Sequence, residues 1–321
     1  MTLMREKLKS DEFRILMRKY GIFIVLLIIV VALSASSRTF RTPNNVISVL
    51  QQISTNGLVA LGMCFVITVG GIDLSVGSMI ALVGILSSLM LSKGYGLLVA
   101  LIVPIALVTV CGFINGFMIA KFNFFPFVVT LAMQLVIRGA GYIVSGGYQI
   151  PISNLTFLKL YSYRIGGILP MPTLILFIVG ILAYFLLHCT TFGRYVYATG
   201  GNPSAAMASG VSVLWIKTLA FTFSGFCASL AGLILTAKVA AGMPNIGTGY
   251  EGDAIAACVI GGTSFAGGVA TIPGTFCGII IIGLIYNGMN MLGISSYWQT
   301  ICKGLLILGA ISLDMFMNKR K

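Results

Sequence analysis

Ten apolar runs divide the chain, at 21–36, 47–69, 74–92, 96–119, 125–145, 170–188, 214–236, 254–266, 272–292 and 297–317, each bounded by Gly, Pro, Asn or a charge. A helix needs about 20 apolar residues to cross a hydrocarbon layer ~30 Å thick, and most of the runs meet that length. The pattern predicts an all-α integral membrane protein of about ten transmembrane helices. The run 254–266 is short, which leaves it either re-entrant or buried among neighbours. The first run follows a basic lead and ends in Ala-Leu-Ser-Ala-Ser, the outline of a cleaved leader; the long lead and the apolar runs that follow at once read it as a span.

Two connections are too polar for lipid, 146–169 and 189–213. In the second, Asn202 precedes Pro203 and a run of small residues, so a turn followed by a short helix is expected, with Asn202 as N-cap and Pro203 in the first helical position. A capped helix in a loop is a docking element or a connector. The chain also carries a faint internal echo, the mark of two weakly related halves. Val66-Ile-Thr-Val-Gly-Gly71 is matched by Ala257-Cys-Val-Ile-Gly-Gly262, and Gly112-Phe-Ile-Asn-Gly116 by Gly283-Leu-Ile-Tyr-Asn-Gly288, at unequal spacings.

Composition agrees with the pattern. Hydrophobic residues make up 58%, charged residues 8%, and the mean hydropathy is +1.04. A soluble domain carries roughly 25% charged residues, and a disordered chain is more polar still. The net charge of +13 is distributed as in a membrane protein rather than a nucleic-acid binder. Arg5, Lys7, Lys9, Arg14, Arg18 and Lys19 lie in the tail 1–19, and Lys319, Arg320 and Lys321 end the chain after a membrane domain over 20–317. An even number of spans puts both tails on one side. With the tails inside, twelve basic residues fall inside and six outside, so both termini and the loop 189–213 are expected to be cytoplasmic, where basic tails meet anionic lipid. No nucleic-acid partner is implied.

Only Asp73, Glu251 and Asp253 are acidic between the tails. Acids in a membrane domain are expensive and tend to be functional. Asp73 either caps the third span or gates it. Glu251 and Asp253 begin the eighth span and on this topology face outside, as helix-start carboxylates or as the entrance to a path. With Asn115 and Asn287 they are the candidates for a translocation path or gate. Arg138 and Lys303 fall within spans and are expected to snorkel to an interface. The stripe Ser224-Gly225, Ala228-Ser229, Ala231-Gly232 is expected to be tight helix packing. The seven cysteines show no C-x-x-C spacing, and the single His188 has no companions for a metal. The Gly261–Gly268 turn lacks the Gly-Lys-Ser/Thr of a phosphate-binding loop, so no ATP hydrolysis is expected of this chain, and no catalytic constellation can be assembled.

Four ordered motifs together resemble the permease subunits of bacterial ABC sugar importers of the ribose type: Leu50-Gln-Gln-Ile-Ser-Thr-Asn56, Gly70-Gly-Ile-Asp-Leu-Ser-Val-Gly-Ser78, Gly193-Arg-Tyr-Val-Tyr-Ala-Thr-Gly-Gly-Asn202, and Asp253-Ala-Ile-Ala-Ala-Cys-Val-Ile-Gly-Gly-Thr-Ser-Phe-Ala-Gly-Gly268. The resemblance implies a non-catalytic subunit of the inner membrane, paired with a second permease copy (the same chain or a paralogue). It also implies a cytoplasmic ABC ATPase that holds ATP and Mg, and an extracytoplasmic sugar-binding protein. By position, Gly193, Arg194, Tyr195, Gly200, Gly201 and Asn202 would be the element coupled to the ATPase. The chain departs from the family at Pro203-Ser204, where an acidic residue is usual, and at Gly252, where Leu is usual. An ion-coupled secondary transporter or channel using the three acids is the alternative from another class.

Overall fold

The computed structural model describes residues 23–35 and 37–318; the basic tail 1–19 and residues 319–321 lie outside them. The chain opens with α1 (Phe23–Ala35) and a 3-10 turn (Thr39–Arg41), then α2 (Pro43–Thr68), α3 (Val76–Ser92), α4 (Leu97–Phe122) and α5 (Pro126–Ser145). The next connection carries β1 (Ile150–Pro151), α6 (Leu155–Ser162), β2 (Arg164–Ile165) and β3 (Leu169–Pro170). α7 (Met171–Tyr184) continues as a π turn (Phe185–Cys189), and α8 (Thr191–Gly201) and α9 (Pro203–Ala208) form a hairpin. α10 (Val213–Val239), β4 (Ala241–Gly242), α11 (Tyr250–Ile260), α12 (Ile272–Met291) and α13 (Ser296–Asn318) complete the order.

The predicted apolar runs fall on helices, the eighth only in part, and several starts have a local cause. Thr42 accepts a hydrogen bond from Asn45 N ahead of Pro43, and Thr271 does the same for Gly274 N. α5 ends on Gly146 in the left-handed conformation. Six of the described helices are long and apolar enough to cross a membrane: α2, α4, α5, α7 with its π turn, α10 and α12. α1 and α3 are apolar but shorter.

α2, α10 and α12 form the centre and are mostly buried, while α4 and α5 expose residues such as Leu98, Ile102, Leu135 and Val136. In α10 the predicted small stripe is core: Ser224, Gly225, Ala228, Ser229, Ala231 and Gly232 are all buried. It seats α10 on α4 and α3 at near-backbone distance, the packing that membrane helices use in place of a hydrophobic driving force. The two echoed stretches lie in unlike helix orders, since α2 is followed by α3 and then α4 but α11 directly by α12.

The eighth run departs most from expectation. The helix is α11, eleven residues over 250–260 rather than 254–266, and about 16 Å long, half of a membrane's hydrocarbon. It is preceded by the stretch 240–249, which is extended only at Ala241–Gly242, where it pairs with β1 (Ile150 opposite Gly242, Pro151 opposite Ala241), and then passes along α3 as a run of turns. A Cβ placed on Gly77, at the start of α3, would stand 2.6 Å from Gly247 O and 2.5 Å from Glu251 Oε2. The start of α11 therefore lies inside the bundle, beside the start of α3. The topology that put Glu251 and Asp253 at an external mouth is corrected by this contact.

Candidate functional site

The hairpin is built from local signals. Thr190 Oγ1 accepts from Gly193 N at 3.2 Å and opens α8; Asn202 Oδ1 accepts from Ala205 N at 3.0 Å and opens α9, with Pro203 first, as the sequence predicts. The stretch before Asn202, expected as a turn, is the helix α8. Its inner face carries Gly193, Val196 and Thr199, all buried, and its outer face exposes Arg194, Tyr195, Gly201 and Asn202. Gly200 is half-buried against the carbonyl of Thr68, the last residue of α2, with no room for a Cβ. That carbonyl also accepts from Gly268 N at 2.9 Å. Tyr197 donates its hydroxyl to Ala270 O at 2.9 Å, and burial pushes its phenol up to about 12, so it stays a neutral donor. His188 Nε2 accepts from Ile272 N at 3.3 Å. The hairpin is thus joined to the end of α2 and to the 261–270 connection between α11 and α12.

The structure brings Asp73 and Asn115 together. Asp73 is fully buried; its Oδ1 accepts from Ser75 N at 3.0 Å and Ser75 Oγ at 2.6 Å, and its Oδ2 from Ser224 Oγ at 3.1 Å. Asn115 Nδ2 donates to Ser75 Oγ at 2.9 Å, while Asn115 Oδ1 is buried without a partner. The cluster ties α4 and α10 to the turn before α3. Asp73 holds this turn rather than capping the helix, whose N-cap is Ser75.

A second cluster gathers where α11 begins. Asp253 Oδ1 lies 2.8 Å from Lys303 Nζ on α13 and accepts from the Tyr286 hydroxyl at 2.7 Å. Lys303 also donates to Gly249 O at 2.5 Å, and Arg138 Nη1 donates to Pro244 O and Ile246 O at 2.6 and 2.9 Å. Both reach into the protein: Arg138 to two turn carbonyls, and Lys303 to the Asp253 carboxylate and to a carbonyl that also accepts from Asp253 N. Glu251 Oε1 accepts from Gly249 N at 3.1 Å, and its Oε2 is buried with no hydrogen-bond partner.

Asn287 stands apart from both clusters, in a reciprocal pair with Asn45: Asn45 Nδ2 donates to Asn287 Oδ1 at 3.2 Å and Asn287 Nδ2 to Asn45 Oδ1 at 2.9 Å. The sequence reading missed Asn45, Ser75, Ser224, Tyr197 and Tyr286. Of these, Ser75 and Tyr197 lie inside two of the quoted motifs, Ser224 in the small-residue stripe and Tyr286 in an echoed stretch, and only Asn45 carried no local signal.

Residues 45–311 match the family described as the permease component of the branched-chain amino acid transport system. The ribose import permease protein RbsC of Bacillus subtilis is 40% identical over 318 residues, covering 96% of this chain and 98% of that protein. Its namesake in Escherichia coli is 42% identical over 301 residues, 93% of each chain. The D-allose transport system permease protein AlsC of Escherichia coli is 37% identical over 97% of this chain and 96% of its own length. No solved structure matches the chain.

Proposed function

The chain belongs to the ribose-type family of ABC sugar importer permeases, and on that premise we propose that two permease copies enclose the path of a ribose-like monosaccharide into the cell. It is a multi-pass permease subunit of the inner membrane and a transport component rather than a catalyst. Family membership brings two partners, an ABC ATPase and a substrate-binding protein. ATP and Mg belong to the ATPase. Each copy crosses the membrane ten times, the stretch 240–260 counting as one crossing made of turns followed by the short helix α11, so that both termini lie with the hairpin in the cytoplasm.

The hairpin α8–α9 is the coupling element, and one observation supports this best: Gly200 sits against the Thr68 carbonyl, where Gly268 N also arrives. A push on the outer face, at Arg194, Tyr195 and Asn202, then reaches backbone directly, without soft side chains between. Through Thr68 it bears on α2 and the Asp73 turn; through Gly268 and Ala270 it bears on α11 and α12. Binding and hydrolysis of ATP act by favouring one of two arrangements of these elements, since a ligand shifts populations only through differential affinity.

Proteoliposomes test this reading. Sugar-stimulated ATP hydrolysis and uptake are expected when the chain is combined with its ATPase and sugar-binding protein. Uptake by the chain alone in an ion gradient, abolished by an uncoupler, would overturn it in favour of the ion-coupled alternative.

A further inference from the structure

At the end of the bundle away from the hairpin, four polar side chains converge on one cavity of about 290 Å³. They are Tyr142, Tyr148, Gln149 and Asn245, with Met243 and Pro244 completing the wall. α5 starts at the hairpin end, where Thr130 Oγ1 donates to Ile72 O at 3.1 Å beside the Asp73 turn. Tyr142 lies twelve positions further along α5, about 18 Å away. All four are exposed, Tyr142 at 45% and Tyr148 at 79%, so their phenols and amides are open to a ligand arriving from solvent. A second cavity of similar size, between Leu97, Leu101, Phe157 and Met171, presents an almost wholly apolar surface although Thr156, Lys159 and Tyr163 also line it.

The chemistry of the lining selects its ligand. Each amide offers donors and an acceptor, each phenol one of both, and the two rings present apolar faces. A monosaccharide needs this combination: hydroxyls that donate and accept around a ring with C–H faces. No charged side chain lines the cavity, so an amino acid would leave its ammonium and carboxylate unmatched there. The volume is at the low end for ligand pockets, which suits one sugar ring.

The site is also built to hold its shape and to pass on its state. Its two sides, 147–149 and 243–245, flank the β1–β4 ladder that joins them. Its wall at Pro244 is fixed by Arg138, and the same stretch continues to Gly249, where Lys303 holds the carbonyl. We propose that this cavity is a sugar-contact site of the permease itself, taking a neutral monosaccharide as it leaves the binding protein and before it enters the path. The proposal rests on the sugar-permease reading above.

The test uses the full transporter in proteoliposomes, with D-ribose, D-allose and L-arabinose as probes. Asn245→Ala and Gln149→Ala are expected to raise the KM for uptake three- to tenfold and to change the ranking of the three sugars, with docking of the binding protein unaltered. Tyr148→Phe removes one hydroxyl and keeps the ring, so it serves if the alanine variants assemble poorly. An unchanged KM and ranking in all three variants would overturn the site, as would a loss of binding-protein docking, which would make this face a protein contact. If the wild-type assembly shows no sugar-stimulated uptake, the permease reading fails instead.

Discussion

Lys303 and Asp253 are joined at 2.8 Å across α13 and α11, and the same ammonium grips the Gly249 carbonyl at 2.5 Å. One side chain therefore neutralises the acid at the start of α11 and binds the carbonyl that opens that helix, which also accepts from Asp253 N at 3.3 Å. A buried charge left without its partner is costly, so Lys303 and Asp253 hold one another at the start of α11.

Removing one partner of a largely buried pair strands the other. Lys303→Met or Asp253→Asn is expected to lower stability by about 2–3 kcal/mol, below the usual range for buried pairs because Lys303 keeps 22% exposure. The combined variant should recover part of the loss. Thermal unfolding of the detergent-solubilised chain measures it, and full additivity of the two single effects would show that the groups do not interact.

Gly200 and Gly201 are adjacent yet should behave differently. A Cβ at Gly200 runs into the Thr68 carbonyl, while one at Gly201 meets nothing within 4 Å. Gly200→Val is expected to abolish ATP-driven uptake in protein that still inserts, and Gly201→Ala to leave most of it. Equal uptake by both variants would remove the hairpin's seat from the coupling route.

How much of this was legible beforehand differs by residue. The apolar runs other than the eighth, the Asn202 cap with Pro203, and the α10 stripe follow from neighbours within a turn or two, and the structure has helices at those runs, the cap and the stripe. The partners of Arg138 and Lys303 are carbonyls 106, 108 and 54 positions away, and hydropathy carries no sign of them. The Glu251 and Asp253 pair was misplaced for a related reason. The turns over 243–249 have no period of their own, and their place is set by α3, α5 and α13 around them. Asn45, beside Pro43 at a helix start, reads locally as a first-turn residue, and its link to Asn287 spans 242 positions.

That link is a clean subject for a double-mutant cycle. Asn45→Leu strips Asn287 of both its bonds, whereas Asn287→Leu leaves Asn45 its bond to Phe40 O. A coupling of about 0.5–1.5 kcal/mol is expected between them, in line with amide pairs between membrane helices. A coupling near zero in unfolding measurements would mean that water replaces the pair and that α2 and α12 are free to part there.

The close passage of 240–249 along α3 can be probed with one methyl group. Gly77→Ala places a carbon against Gly247 O and Glu251 Oε2, and overpacking of this kind costs ~1–3 kcal/mol. Lower thermal stability and slower uptake are expected. Wild-type behaviour in both would require that stretch to lie elsewhere.

The two faces of α8 have different obligations. Gly193, Val196, Thr199 and Gly200 answer to this chain's own backbone, whereas Arg194, Tyr195, Ala198 and Asn202 face away from it. On the proposed role, the inward set is an anchor and the outward set an address. Exchanging only the outward residues for those of a related permease should redirect the chain to that permease's ATPase while its own sugar path stays intact. Exchanging the inward ones should break it for every ATPase alike.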